Sequence, residues 1–142
     1  MNVFEKLKNS IFRGPAAAHL RAGSLGEKAA KKFLTQQGLK FLTANFRTPR
    51  GEIDLVFRHD DCLVFTEVKT RSSEDWTRPS AAVDSERQRR LSRCGLDYLR
   101  LLNNPKVKIR FDIVEVLLAG GKVREIRHLP NAFQMSKPMR YC

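Results

Sequence analysis

The chain has 142 residues, 42% of them hydrophobic and 30% charged, with a net charge of +12 at pH 7. That length fits one ordinary domain able to hold a core without disulfides or metal, and the composition excludes wholesale disorder. No apolar run approaches a membrane span, and three scattered cysteines, Cys62, Cys94 and Cys142, argue against a disulfide framework or zinc ribbon and for a reducing cytoplasm.

Residues 1–23 are expected as a loosely attached leader with a short apolar set, Val3, Phe4, Leu7 and Ile11. Its acid and broken apolar pattern do not read as a secretory signal. Ser24-Leu25-Gly26-Glu27 has the form of a capping box and predicts a helix start, with Ala29, Ala30, Phe33 and Leu34 at helical spacing and Gly38 as the stop. Residues 39–47 read as a strand, and Pro49-Arg50-Gly51 as a turn. Residues 52–58 predict a second strand, with Ile53, Leu55 and Phe57 on one face and Glu52, Asp54 and Val56 on the other. Residues 63–70 pair with it as a hairpin across Asp60-Asp61. A polar loop over 71–83 carries Trp76. Asp84 is placed to cap a helix over about 85–102, with Leu91, Tyr98 and Leu102 as its apolar ridge and Gly95 weakening it. Residues 106–118 and 122–129 read as strands around a Gly120-Gly121 turn, and 131–142 as a frayed tail. The order α-β-β-β-α-β-β places one mixed α/β domain over 24–130.

Whether the hairpin turns on Asp60-Asp61 or on the four residues 59–62, its loop has an even count, and opposed residues then sum to 121. Asp54 then faces Glu67, and Glu52 faces Lys69, which shares a face with Glu67. An odd loop would send Asp54 and Glu67 to opposite faces. Two opposed carboxylates in a covered sheet repel and are partly desolvated, so a cation between them is the economical explanation. Hard oxygen donors suit Mg²⁺ better than zinc. Lys69 could then hold a water nucleophile or phosphate oxygens, a set able to support phosphodiester hydrolysis. The competing explanation is a solvated face with a Glu52–Lys69 ion pair, which leaves the apolar surroundings unexplained.

The charge is uneven. Residues 1–86 hold 14 Lys and Arg against 11 Asp and Glu, whereas residues 87–142 hold 13 against 4. A basic second half points to a polyanionic partner. Arg87, Arg89, Arg90 and Arg93 crowd one stretch of the second helix without an interleaved acid, which favours phosphate contacts over a merely solvated face. Gln88 is spaced to face the site, and Arg71 follows the strand that carries Glu67. Asp112, at a strand centre, reads as structural, and His19, His59 and His128 lack metal-ligand spacing. Trp76 suits base stacking or a core or lid role equally well.

Gly51-Glu52-Ile53-Asp54, Glu67-Val68-Lys69 and Arg110-Phe111-Asp112 together resemble the PD-(D/E)xK nuclease pattern. More specifically, the chain resembles the YraN-type family of uncharacterised bacterial proteins, related to archaeal Holliday-junction resolvases. The resemblance runs from about Gly23 to Phe133 and includes G-x-x-G-E at 23–27, N-x-R at 45–47, G-E-I-D-L at 51–55, F-T-E-V-K-T-R at 65–71 and R-F-D-I-V-E-V at 110–116. It implies a restriction-endonuclease-like three-layer fold, a mixed central sheet flanked by helices. It also implies Mg²⁺- or Mn²⁺-dependent cleavage of structured or branched DNA in the cytoplasm. Glu27, Asp54, Glu67 and Lys69 take the catalytic positions, with metal held by Asp54, Glu67 and the Val68 carbonyl. Arg71, Arg87, Gln88, Arg89, Arg90 and Arg93 would hold nucleic acid, and a homodimer without membrane contact is expected. Arg87 stands where the pattern leads one to expect lysine. The alternative is a non-catalytic nucleic-acid-binding protein that keeps the nuclease-like fold.

Overall fold

A computed structural model describes residues 21–72, 84–134 and 140–141. Helix α1 (Arg21–Gln36) leads into three antiparallel strands, β1 (Lys40–Thr48), β2 (Gly51–His59) and β3 (Cys62–Ser72). Helix α2 (Ser85–Leu101) then carries the chain to β4 (Lys108–Ala119), β5 (Lys122–Phe133) and the short β6 (Arg140–Tyr141). The sheet runs β1-β2-β3-β4-β5, with β4 parallel to β3, β5 antiparallel to β4, and β6 also parallel to β4. The α/β class and the mixed sheet between helices are as the sequence predicts. Trp76 and the 73–83 loop, like His19 and the leader up to residue 20, lie outside the described residues. Among the described residues no helix is long and apolar enough to cross a membrane.

Two apolar clusters make the three layers. Ala30 and Leu34 of α1 pack with Leu55, Phe57, Val64, Val114 and Val116 on one side of the sheet. Leu91, Cys94 and Tyr98 of α2 pack with Phe46, Ile53, Val56, Phe65 and Phe111 on the other. The expected Asp84 cap is present: its side chain accepts from the Arg87 N–H at 2.8 Å. Gly95 weakens the helix for a reason invisible in the sequence. A Cβ there would lie 3.1 Å from Phe65 and 3.3 Å from Phe111, so glycine lets α2 sit down on two aromatic rings. Arg50 and Thr48 both reach Asp97, tying the β1–β2 turn to α2.

Several expectations fail. Helix α1 begins at Arg21, so Ser24 lies inside its first turn and the capping box does not exist. Ile53, Leu55 and Phe57 do not share a face: Ile53 joins Val56 on the α2 side, while Leu55 and Phe57 face α1. The same inversion separates Ala44 from Phe46 on β1, and the residue between them, Asn45, has φ 53°. A left-handed residue rotates the pleat, so residues two apart leave by opposite faces. Strand β5 extends past the expected 129 to Phe133, and residues 140–141 join the sheet rather than fray. Cys62 is disulfide-bonded, a departure from the expectation drawn from scattered cysteines, whereas Cys94 is free.

Candidate active site

The hairpin turns on Asp60-Asp61, with Asp60 in the left-handed region. Its register follows the expected sum, from His59 opposite Cys62 to Leu55 opposite Thr66. There the ladder ends, beside the pleat inversion. Asp54 lies in the next position along β2, and instead of a backbone partner the Val68 N–H donates to its Oδ2 at 2.8 Å. Among the described residues its Oδ1 has no hydrogen-bond partner. A residue's N–H and C=O leave a strand on the same edge, so the Val68 carbonyl faces the same gap.

Glu67, 8% exposed, alternates with Phe65 and lies on the α2 side of the sheet. Arg87, in the first turn of α2, places one nitrogen, Nη2, 2.8 and 2.9 Å from the two Glu67 carboxylate oxygens. Burial nevertheless raises the Glu67 carboxyl above its ordinary range, outweighing the arginine's pull. Asp54 keeps some contact with solvent, but protein walls it in on most sides. Burial first, then the Glu67 charge, hold it well above the usual carboxylate range, against the pull of the Val68 N–H. Lys69 is pushed down, by burial and then by the neighbouring Arg71 charge.

Glu27 comes to the same patch from α1. A Cβ on Gly26 would collide with Thr70 Oγ1, so glycine brings this turn of α1 against β3 one residue past Lys69. Burial, then the Glu52 charge, raise the Glu27 carboxyl, against the pull of the Asn45 side chain. With no capping box to explain it, Glu27 is a half-buried acid among acids. Asn45, the residue that inverts the pleat, is thus also tied to the patch.

The remaining expected residues divide. Glu52 does not pair with Lys69. The β2–β3 ladder has ended, and Glu52 binds Arg47 Nε at 3.2 Å across β1–β2. Arg71 does not stand open for phosphate alone: its Nε lies 3.6 Å from the fully buried Glu115, which is aligned with Lys69 across β3–β4. Arg87 is spent on Glu67. Arg90 pairs with Glu86 at 2.7 Å on the exposed face, a surface pair of small energetic value. Arg89 and Arg93, with Gln88, Ser85 and Ser92, line a groove of about 380 Å³ that runs to Phe133 and Gln134.

Asp112 is structural, as read. Arg110 reaches both its oxygens at 2.8 and 3.0 Å, the Asn131 N–H donates at 2.9 Å, and His128 Nε2 lies 2.7 Å away. Against burial, these bonds hold its carboxyl below the ordinary range. His128 and Glu115 were missed from sequence. Counting from the glycine turn would set His128 opposite Ile113, away from Asp112; a register shift between Leu117 and Leu118 instead sets it opposite Val114, diagonal to Asp112 on one face, and no sequence signal announces that shift. Burial pushes the Cys94 thiol up to about 11, so it is no nucleophile at neutral pH.

Two carboxylates from neighbouring strands, a backbone carbonyl and a nearby amine are a hard-oxygen set with negative charge to balance. Among the described residues no three His, Cys, Asp or Glu side chains converge on one point. Mg²⁺ does not need that: it commonly takes one or two carboxylates and keeps water or phosphate for the rest. The donors therefore fit such an ion.

A model of the family described as "Uncharacterised protein family UPF0102" matches residues 26–116, which span Glu27, Asp54, Glu67, Lys69 and Arg87. A UPF0102 protein of Caldanaerobacter subterraneus subsp. tengcongensis is 40% identical over 113 residues, 78% of this chain and 93% of its own. One from Rhodococcus opacus is 35% identical over 117 residues, 82% of this chain and 99% of its own. One from Syntrophus aciditrophicus is 37% identical over 126 residues, 89% of this chain and 97% of its own.

Proposed function

The chain belongs to the UPF0102 family, the YraN-type family its motifs resemble, and from that premise we propose that it is a Mg²⁺- or Mn²⁺-dependent endonuclease for structured or branched DNA. It works in the cytoplasm and, on a symmetric junction, as a homodimer. The observation that carries this reading is the placement of Asp54 and Glu67. They are like charges on adjacent strands, Glu67 buried and Asp54 largely walled in, at the point where the β2–β3 ladder stops, with Lys69 two residues on. A structural pair of acids would gain nothing from that placement, because burial makes both harder to ionise.

Asp54, Glu67 and the Val68 carbonyl would hold the ion. When bound, Mg²⁺ supplies charge neutralisation and a more acidic water. Lys69, whose amine is pushed toward neutrality, positions the attacking water and donates to the phosphate oxygens. Glu27 lies on the far side of the same patch and orders water there. Arg89, Arg93 and Gln88 grip the backbone along the α2 groove, which fixes position without reading sequence.

A second reading has its own support: Arg87 already neutralises Glu67 without any metal, as a non-catalytic nucleic-acid-binding protein would require. Calorimetry without nucleic acid separates the two. The nuclease binds Mg²⁺ or Mn²⁺ and loses that binding in Asp54→Asn. The binding module takes up no ion with either protein.

A further inference from the structure

Resting on the nuclease reading, we infer that Arg87 is an exchangeable positioning residue. It holds Glu67 in the free protein, gives it up when a divalent cation enters, and then grips a phosphate of the nucleic-acid backbone. The contact is a single nitrogen astride both carboxylate oxygens, at 2.8 and 2.9 Å. A cation held by Glu67 and Asp54 would compete with the guanidinium for those same Glu67 oxygens. Two cations cannot both sit there, since they repel across a few ångströms of poorly solvated space.

The rest of Arg87 is built for the exchange. Its backbone is fixed, because its N–H is held by the Asp84 cap. Its side chain is 34% exposed, and Nε and Nη1 make no hydrogen bond among the described residues. A swing about the side-chain torsions therefore breaks one contact and leaves α2 intact. The residues that follow it, Gln88 and Arg89, line the adjoining groove, together with Arg93. A guanidinium released there meets the partner for which its planar fork is suited. Lysine at this position would offer a point charge without the straddling contact. In this account arginine gives a metal-free site that is electrically quiet and grips nucleic acid less strongly until the ion is present.

The test is Mn²⁺ titration of the full chain by calorimetry, without nucleic acid, for wild type, Arg87→Gln, Arg87→Lys and Asp54→Asn. Arg87→Gln removes the competitor, so it should bind Mn²⁺ about 5–10-fold more tightly than wild type, within the usual span of coupling between two sites. Arg87→Lys should fall between the two. As a second readout, with Lys69→Ala blocking cleavage, the slope of log affinity for a short duplex against log salt should steepen by about one on adding Mn²⁺. That increment should vanish when Arg87→Gln is added. Equal or weaker Mn²⁺ binding by Arg87→Gln and Arg87→Lys would make Arg87 a fixed partner and overturn the exchange, while ion binding lost in Asp54→Asn would leave the nuclease reading standing. Absence of Mn²⁺ binding by wild type would overturn both.

Discussion

Asp54→Asn separates a site acid from a structural one before any substrate is known. The change removes one charge and keeps the shape, and the new amide oxygen can still accept from the Val68 N–H. The Glu67 charge acts directly on Asp54, and two unit charges separated by about 5–7 Å, with an effective dielectric of about 20, repel by ~2–3 kcal/mol. Arg87 on Glu67 cancels much of this, which leaves roughly 1–2 kcal/mol of strain for the mutation to relieve. In EDTA at neutral pH the variant should therefore equal or exceed the wild type. For a chain of this size each kcal/mol moves the melting temperature by about 2–4 °C. Added Mg²⁺ should raise the melting temperature of the wild type and leave the variant unmoved, since only a state that binds gains stability from the ion. Thermal melts of both proteins, with EDTA and with Mg²⁺, read all four values. Clear destabilisation of the variant in EDTA, with no Mg²⁺ effect on the wild type, would refute the reasoning and make Asp54 a structural acceptor.

The same charges set a pH dependence. Folded Asp54, Glu67 and Glu27 all have raised carboxyl pKa values, so the folded state takes up protons more readily than the unfolded one. Metal-free stability should rise as pH falls from neutral toward the ordinary carboxylate range near 4, then drop as Asp112, held low, is protonated; urea melts across that range should trace the maximum, flattened on its neutral side in Asp54→Asn. Arg89→Ala with Arg93→Ala should weaken DNA binding alike for all sequences and reduce the salt slope by about two, read by fluorescence anisotropy; an unchanged slope would place the DNA away from the α2 groove. Gly26→Ala should destabilise by about 1–3 kcal/mol despite its better helix propensity, because the new methyl meets Thr70 Oγ1, and Thr70→Ala in that background should recover most of the loss in chemical denaturation.

What the sequence revealed was local. An even loop count fixed the hairpin register through Leu55 and Thr66, and Asp84 followed by an arginine-rich apolar ridge placed α2. Ser24 to Glu27 misled because a capping box is only a spacing. Residues 21–23 before it are also helical, so the N–H groups of residues 25–27 already have acceptors within the helix. The inversion at Asn45 could not be read from alternation, which assumes every residue stays in the β region. Its consequence is specific: beside the rotated pleat the ladder stops, and Asp54 bonds the neighbouring strand through its side chain. Glu52 takes Arg47 in place of the expected Lys69, and the pairings of Glu67 with Arg87 and of Arg71 with Glu115 were not foreseen, for a related reason. A long arginine chooses among several acids within reach, and for Arg87 that choice depends on how closely the helices sit on the sheet. Gly95 and Gly26 set those distances, and their effect is seen only against Phe65, Phe111 and Thr70.

A metal-dependent phosphodiester-cleaving site at Asp54, Glu67 and Lys69 must show itself in the reaction. The most direct test is incubation of the purified chain with Mn²⁺ and a panel of end-labelled junctions, flaps and linear duplexes, alongside Lys69→Ala. The wild type should make Mn²⁺-dependent cuts in a branched substrate, abolished by EDTA and reduced at least about 100-fold by Lys69→Ala, the usual scale for losing a group that manages protons at the reacting centre. Cleavage that Lys69→Ala leaves intact, or no cleavage of any substrate by a wild type that binds them, would contradict such a site.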